Sequence, residues 1–189
     1  SVMVEALAEA LKSAKTPQFS GRLTAYIESR KQFEQALAPE DYRYFSFQLW
    51  QEGIARYTEY RVAKLAARLY EPTKEFTLMK DFSSFDQDAS ATLDRILSRL
   101  PKLSLDKDQR IAFYTVGAAE ALLLDEASPD WQRRYVGEKF YPDKYFVKRP
   151  PANTFRMDGI RLMMSAVSNC SSIALRHWPT ASMLRSCHT

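Results

Sequence analysis

One stretch, residues 45–69, organises the pattern of apolar and polar positions. It holds no proline and a single glycine, Gly53, and its composition predicts a helix of about seven turns. At about 100° per residue, Phe47, Trp50, Ile54 and Tyr57 fall on one face. Phe45, Leu49, Glu52, Ala55, Arg56, Glu59, Ala63 and Ala66 fall roughly opposite. Apolar residues on both sides imply a helix packed between neighbours. Glu52 and Glu59 are expected to share a face two turns apart, about 10 Å along the axis. A carboxylate set inside such a helix needs an arginine, a metal or water as partner.

The rest of the chain also reads as helices. Residues 2–14 are rich in Ala and Leu, with a stripe of Val4, Leu7, Ala8 and Leu11, and Thr16-Pro17 ends them. A second helix is expected from about 22 to 37. Pro39 sits at a first-turn position with acids beside it and starts the central helix, which Glu71-Pro72 stops. Residues 73–91 fit either short helical turns or a loop covering the core. Residues 92–100 repeat Leu93, Ile96, Leu97 and Leu100 at helical spacing before Pro101. A further helix is expected from about 106 to 125, where Gly117-Ala118-Ala119 lets another helix approach closely. The expected class is therefore mainly α, with residues 1–150 as one helical domain and 151–189 as a linker and poorly ordered tail.

Composition narrows this picture. The chain has 189 residues, 46% hydrophobic and 26% charged, with ten Tyr, eleven Phe and only five Gly. That mixture favours packed helices in one domain with a real core. Most of the net charge of +4 comes from Arg161, Arg176 and Arg185, in a final stretch without an acid. With no dense Lys/Arg run, no nucleic-acid partner is expected. Residues 130–149 interleave aromatics with cations, a pattern read here as the rim of a core, where stems cover apolar surface and charged heads reach water. No run of about 18 apolar residues suggests a membrane span, and the start lacks the layout of a signal peptide. Cys170, His177, Cys187 and His188 match no defensible zinc spacing. An unpacked end, or a reading frame altered near residues 157–164, accounts better for that stretch.

The pattern Trp50-Gln-Glu52-Gly53-x-Ala55-x-Tyr57-x-Glu59 resembles the Trp-x-x-Glu-Gly-x-Ala-x-Tyr helix of gluzincin-type zinc metallopeptidases, with one residue fewer between Trp and Glu. The segment Phe113-Tyr114-x-x-Gly117-x-x-Glu120-x-Leu-Leu-Leu-Asp125, followed by Pro129-Asp-Trp131, is similar to the region after the zinc helix in bacterial members. The resemblance implies that Glu52 is the third zinc ligand and that Arg56 and Glu59 orient the ligands. Tyr114 becomes a candidate hydrogen-bond donor to an oxyanion or leaving group. Read from the residues alone, Glu52 is equally a structural carboxylate paired with an arginine, and Tyr114 an aromatic core residue.

In that family zinc polarises the scissile carbonyl of a peptide and lowers the pKa of its bound water. The other two ligands and the general base come from a His-Glu-x-x-His helix. This chain has no histidine before His177, so that motif is absent. One carboxylate does not hold a zinc ion, because catalytic sites take three protein ligands and a water. The expectation is a fragment, favoured by a start on Ser1 without an initiator Met, or a relative that lost the site. Zinc belongs to the full-length family and is not expected on this chain alone; a peptide or protein is the expected substrate of the full-length form. The alternative is a non-catalytic helical protein-interaction domain. The peptidase reading requires Glu52 to lie in a cleft near Arg56 or Glu59. A fully exposed Glu52 on a convex surface would end it.

Overall fold

The computed structural model describes residues 2–137 and 139–146. These are mainly helical, and among the described residues there is no strand. The linker and tail expected over 151–189 lie outside the described residues, as do the cysteines and histidines there.

Helix α1 (Val2–Lys12) packs on α2 (Phe19–Ala36). Pro39 occupies the first turn of α3 (Pro39–Gln48), with Glu40 and Asp41 beside it, so the expected start holds. The chain then continues without a break through a π-turn, Leu49–Gly53, into α4 (Ile54–Leu69). The central helix expected from Pro39 through residues 45–69 is therefore continuous but not uniform. Within it the Ile54 N–H donates to the Leu49 carbonyl, a five-residue step. A π-turn is one extra residue in an α-helix, so everything after Gly53 is rotated by about 100° from the straight-helix expectation.

Residues 73–91 resolve into both alternatives. Thr73 caps the short α5 (Lys74–Thr77), a connecting stretch follows, and α6 (Phe85–Arg99) begins two turns before the expected position. The reason is a capping box: the Ser84 hydroxyl accepts from the Gln87 N–H, and the Gln87 side chain accepts from the Ser84 N–H. The helix expected over 106–125 is likewise divided. A short α7 (Leu105–Asp108) is separated from α8 (Ile111–Ala127) at Gln109, whose φ of 44° is incompatible with a continuing right-handed helix.

Helix α8 is the axis of the core. Residues 115–121 are buried on every side, as are Leu123 and Leu124, which is what an all-round apolar helix requires. The π-turn, α1 and α4 pack against it, and α6 lies alongside α4. Helix α9 (Trp131–Gly137) and a turn at Pro142–Tyr145 close one end, with Trp131, Tyr145 and Phe146 buried. Trp131, Tyr145 and Phe146 thus face the core, whereas Phe140 is exposed and packs against Trp50. The Arg134 guanidinium lies 5.2 Å from the Tyr145 ring centre and the Lys144 ammonium 4.1 Å from that of Tyr141.

Candidate functional site

The π-turn presents Glu52 towards the first turns of α8. Its side chain is only 8% exposed, yet it is covered by a thin roof: the pairing Arg110 is itself 61% exposed. Arg110 Nη2 donates to Glu52 Oε1, and the Tyr114 hydroxyl, one turn further along α8, is a second hydrogen-bond donor. The hydrogen bonds from Tyr114 and then Arg110 outweigh the cost of burial and hold the Glu52 carboxyl below its ordinary range. The same contact with the carboxylate raises the Tyr114 phenol. Glu52 is therefore kept anionic and Tyr114 protonated at neutral pH.

Arg56 and Glu59 do not converge on this carboxylate. Arg56 stacks 5.6 Å from the Tyr114 ring centre and pairs at 2.6 Å with Glu59. Glu59 in turn accepts from Thr92 on α6 at 3.5 Å. Glu52 and Glu59 are thus linked through Arg56 and Tyr114 and have separate partners. A cleft of about 250 Å³ opens between α4, α6 and α8; Arg56 and Tyr114 line it, and Glu52 and Glu59 do not. Arg56, Arg95 and Arg99 supply its cations, and Ile96, Ile111 and Tyr114 its apolar walls.

Among the described residues no three His, Cys, Asp or Glu side chains gather. Glu52 is joined by a guanidinium and a phenol, a pairing set for a carboxylate and not a coordination shell. The described residues around Glu52 do not by themselves fit a zinc ion.

Two further polar clusters escape sequence reasoning. Glu120, fully buried in α8, accepts from Arg30 Nε at 2.8 Å and from the Tyr26 hydroxyl. The Arg30 side chain, 4% exposed, also lies 3.8 Å from Asp143 and 4.8 Å from the Phe45 ring centre. Burial opposes the Arg30 charge, but Glu120, Tyr26 and Asp143 together raise its pKa above the ordinary value. The second cluster centres on Asp125. Its carboxylate accepts from Tyr57 at 2.7 Å, Arg61 at 2.9 Å, the Trp131 indole at 2.9 Å and Gln132 at 3.0 Å. That one side chain ties α4, α8 and α9 together. The sequence carried a signal for Glu120, a lone acid inside an apolar run, and none for Arg30.

Comparisons with family models, with curated proteins and with solved structures gave no match.

Proposed function

We propose that this chain is related to gluzincin-type zinc metallopeptidases and carries the share of such a site that the Glu52 helix contributes. The observation behind this reading is the state of Glu52: a shielded carboxylate, held anionic, on a π-turn and next to a phenol that lines a cleft. π-Turns concentrate at functional sites because the extra residue re-aims a side chain. The described residues do not complete a metal site, so no hydrolytic step is assigned to them. The deciding experiment reads the coding sequence upstream of the Ser1 codon. An in-frame His-Glu-x-x-His supports the relationship; a start codon directly before Ser1 overturns it.

A second reading has its own observation. Val62, Leu65 and Leu69 form a row along α4, respectively 59%, 53% and 71% exposed, and Glu52 is closed by Arg110 as a structural carboxylate would be. Both features suit a non-catalytic helical interaction domain. Zinc titration against a chromophoric chelator bears on this alternative. It is favoured if the chain binds zinc no better than Glu52→Ala, and disfavoured if Glu52→Ala lowers zinc affinity tenfold or more.

A further inference from the structure

The cleft beside Tyr114 has a composition that neither reading of Glu52 uses. Three guanidinium groups line it from two helices: Arg56 from α4, Arg95 and Arg99 from α6. Arg56 is balanced by Glu59, and Arg99 by Asp108 at 3.3 Å. Arg95 differs, because among the described residues it has no acidic partner within ion-pair distance. It sits four residues before Arg99, so both side chains lie on one face of α6. The apolar part of the lining comes from buried Ile96, next to Arg95 on α6, and from exposed Ile111 and the ring of Tyr114 on α8. An uncommitted guanidinium facing a concave, half-apolar space is the arrangement that selects an oxyanion joined to a hydrophobic group. Arginine's planar fork matches a carboxylate in two parallel hydrogen bonds. A few placed polar groups among apolar walls are also the usual make-up of a small-ligand pocket.

We propose that this cleft binds the carboxylate of an apolar acid, with Arg95 and Arg99 gripping the carboxylate and Ile96, Ile111 and Tyr114 holding the apolar portion. The carboxylate has two possible sources, the free C-terminus of a peptide and a small organic acid. Both present the same chemistry to Arg95. A free inorganic anion lacks the apolar portion and is held only weakly. The inference does not rest on the metallopeptidase reading, because no metal ligand takes part in it.

The test is isothermal titration of the folded chain with four probes: N-acetyl-Leu-Leu with a free carboxylate, the same dipeptide as its amide, benzoate, and inorganic phosphate. The free-acid dipeptide or benzoate is expected to bind at least tenfold more tightly than the amide and than phosphate. Arg95→Gln is expected to weaken binding about tenfold, Arg95→Lys to recover part of it, and Arg68→Gln, on the far turn of α4, to leave it unchanged. Tighter binding of the dipeptide than of benzoate assigns the site to peptide C-termini; the reverse assigns it to small organic acids. Equal binding of acid and amide, phosphate binding as tight as either acid, or no effect of Arg95→Gln overturns the proposal. So does the absence of binding by any probe. Arg95 is exposed, so circular dichroism of the variants separates lost binding from lost fold.

Discussion

Gly53 and Gly117 meet backbone against backbone: a β-carbon on Gly53 would lie 2.4 Å from the Gly117 Cα, and one on Gly117 2.7 Å from the Gly53 Cα. The clash is with main chain, so no side-chain rotation relieves it. This crossing holds the π-turn on α8 and thereby sets where Glu52 emerges. Gly53→Ala and Gly117→Ala are each expected to destabilise the fold by about 3 kcal/mol, at the upper end for overpacking. Urea denaturation followed by circular dichroism measures this. A loss below about 1 kcal/mol would mean that the helices separate easily and the contact does not set the geometry.

The Arg30–Glu120 pair gives a second expectation. Removing one member of a buried ion pair leaves the other uncompensated, a change of about 3–5 kcal/mol. Arg30→Met and Glu120→Leu should each fall in that range. The double variant, with both charges gone and volume retained, should be more stable than either single one. If the double variant is the least stable of the three, the pair is not the source of the cost.

How far these features were legible depends on how local their causes are. Pro39 started its helix as expected, and Pro72 and Pro101 follow the ends of theirs, because proline acts through its own ring and its neighbours. The close approach at Gly117 was legible from three small residues in a row. The capping box at Ser84 and Gln87 was present in the sequence but lay among other serines and acids that also fit a loop. The π-turn left no signal: apolar residues on both faces of residues 45–69 fit either phase of the helix. Arg30 and Glu120 are 90 residues apart, and a single arginine in a polar helix looks solvated until its partner is known. For Glu52, the family resemblance singled out the residue but not its partner Arg110, which only tertiary packing brings near.

Asp125 offers a sharper local test. From α8 it accepts hydrogen bonds from four side chains on two other helices, and a hydrogen bond to a charged group contributes about 1.5–3 kcal/mol net of its exchange with water. Asp125→Ala should cost about 2–3 kcal/mol and leave the buried Tyr57 hydroxyl and Trp131 indole without their acceptor. Tryptophan emission should shift to longer wavelength as water reaches Trp131. An unchanged spectrum with unchanged stability would show that Gln132 and water replace the carboxylate.

The pH dependence of Glu52 has a definite sign. Its carboxyl is held below the ordinary value of 4.5 in the folded chain, so the unfolded chain binds its proton first as the pH falls. The stability it contributes is fully present above the unfolded pKa and is lost as the pH falls through the folded one. The difference in melting temperature between the wild-type chain and Glu52→Gln should be constant above about pH 5 and shrink in more acidic solution. A difference that grows on acidification would mean that Tyr114 and Arg110 do not stabilise the ionised form.

The π-turn itself makes the last prediction. Because it is one residue added to a helix, removing one residue should restore an ordinary α-helix while the segments on either side keep their own faces. Gln51 is exposed, so its deletion removes no core contact. Leu49 and Gly53 can stay against α8, and Tyr57 can stay with Asp125. Glu52 lies inside the shortened turn, and the prediction is that tightening this turn costs it the contacts with Tyr114 and Arg110. The deletion variant should therefore fold with unchanged helical content and a melting temperature equal to or above that of the wild-type chain. Its acid-dependent stability should match that of Glu52→Gln across the same pH range. Such a result would mean that the extra residue serves the placement of Glu52 rather than the fold. Collapse of the deletion variant, measured as lost helical content, would mean that the π-turn is instead required for α4 to reach α6 and α8.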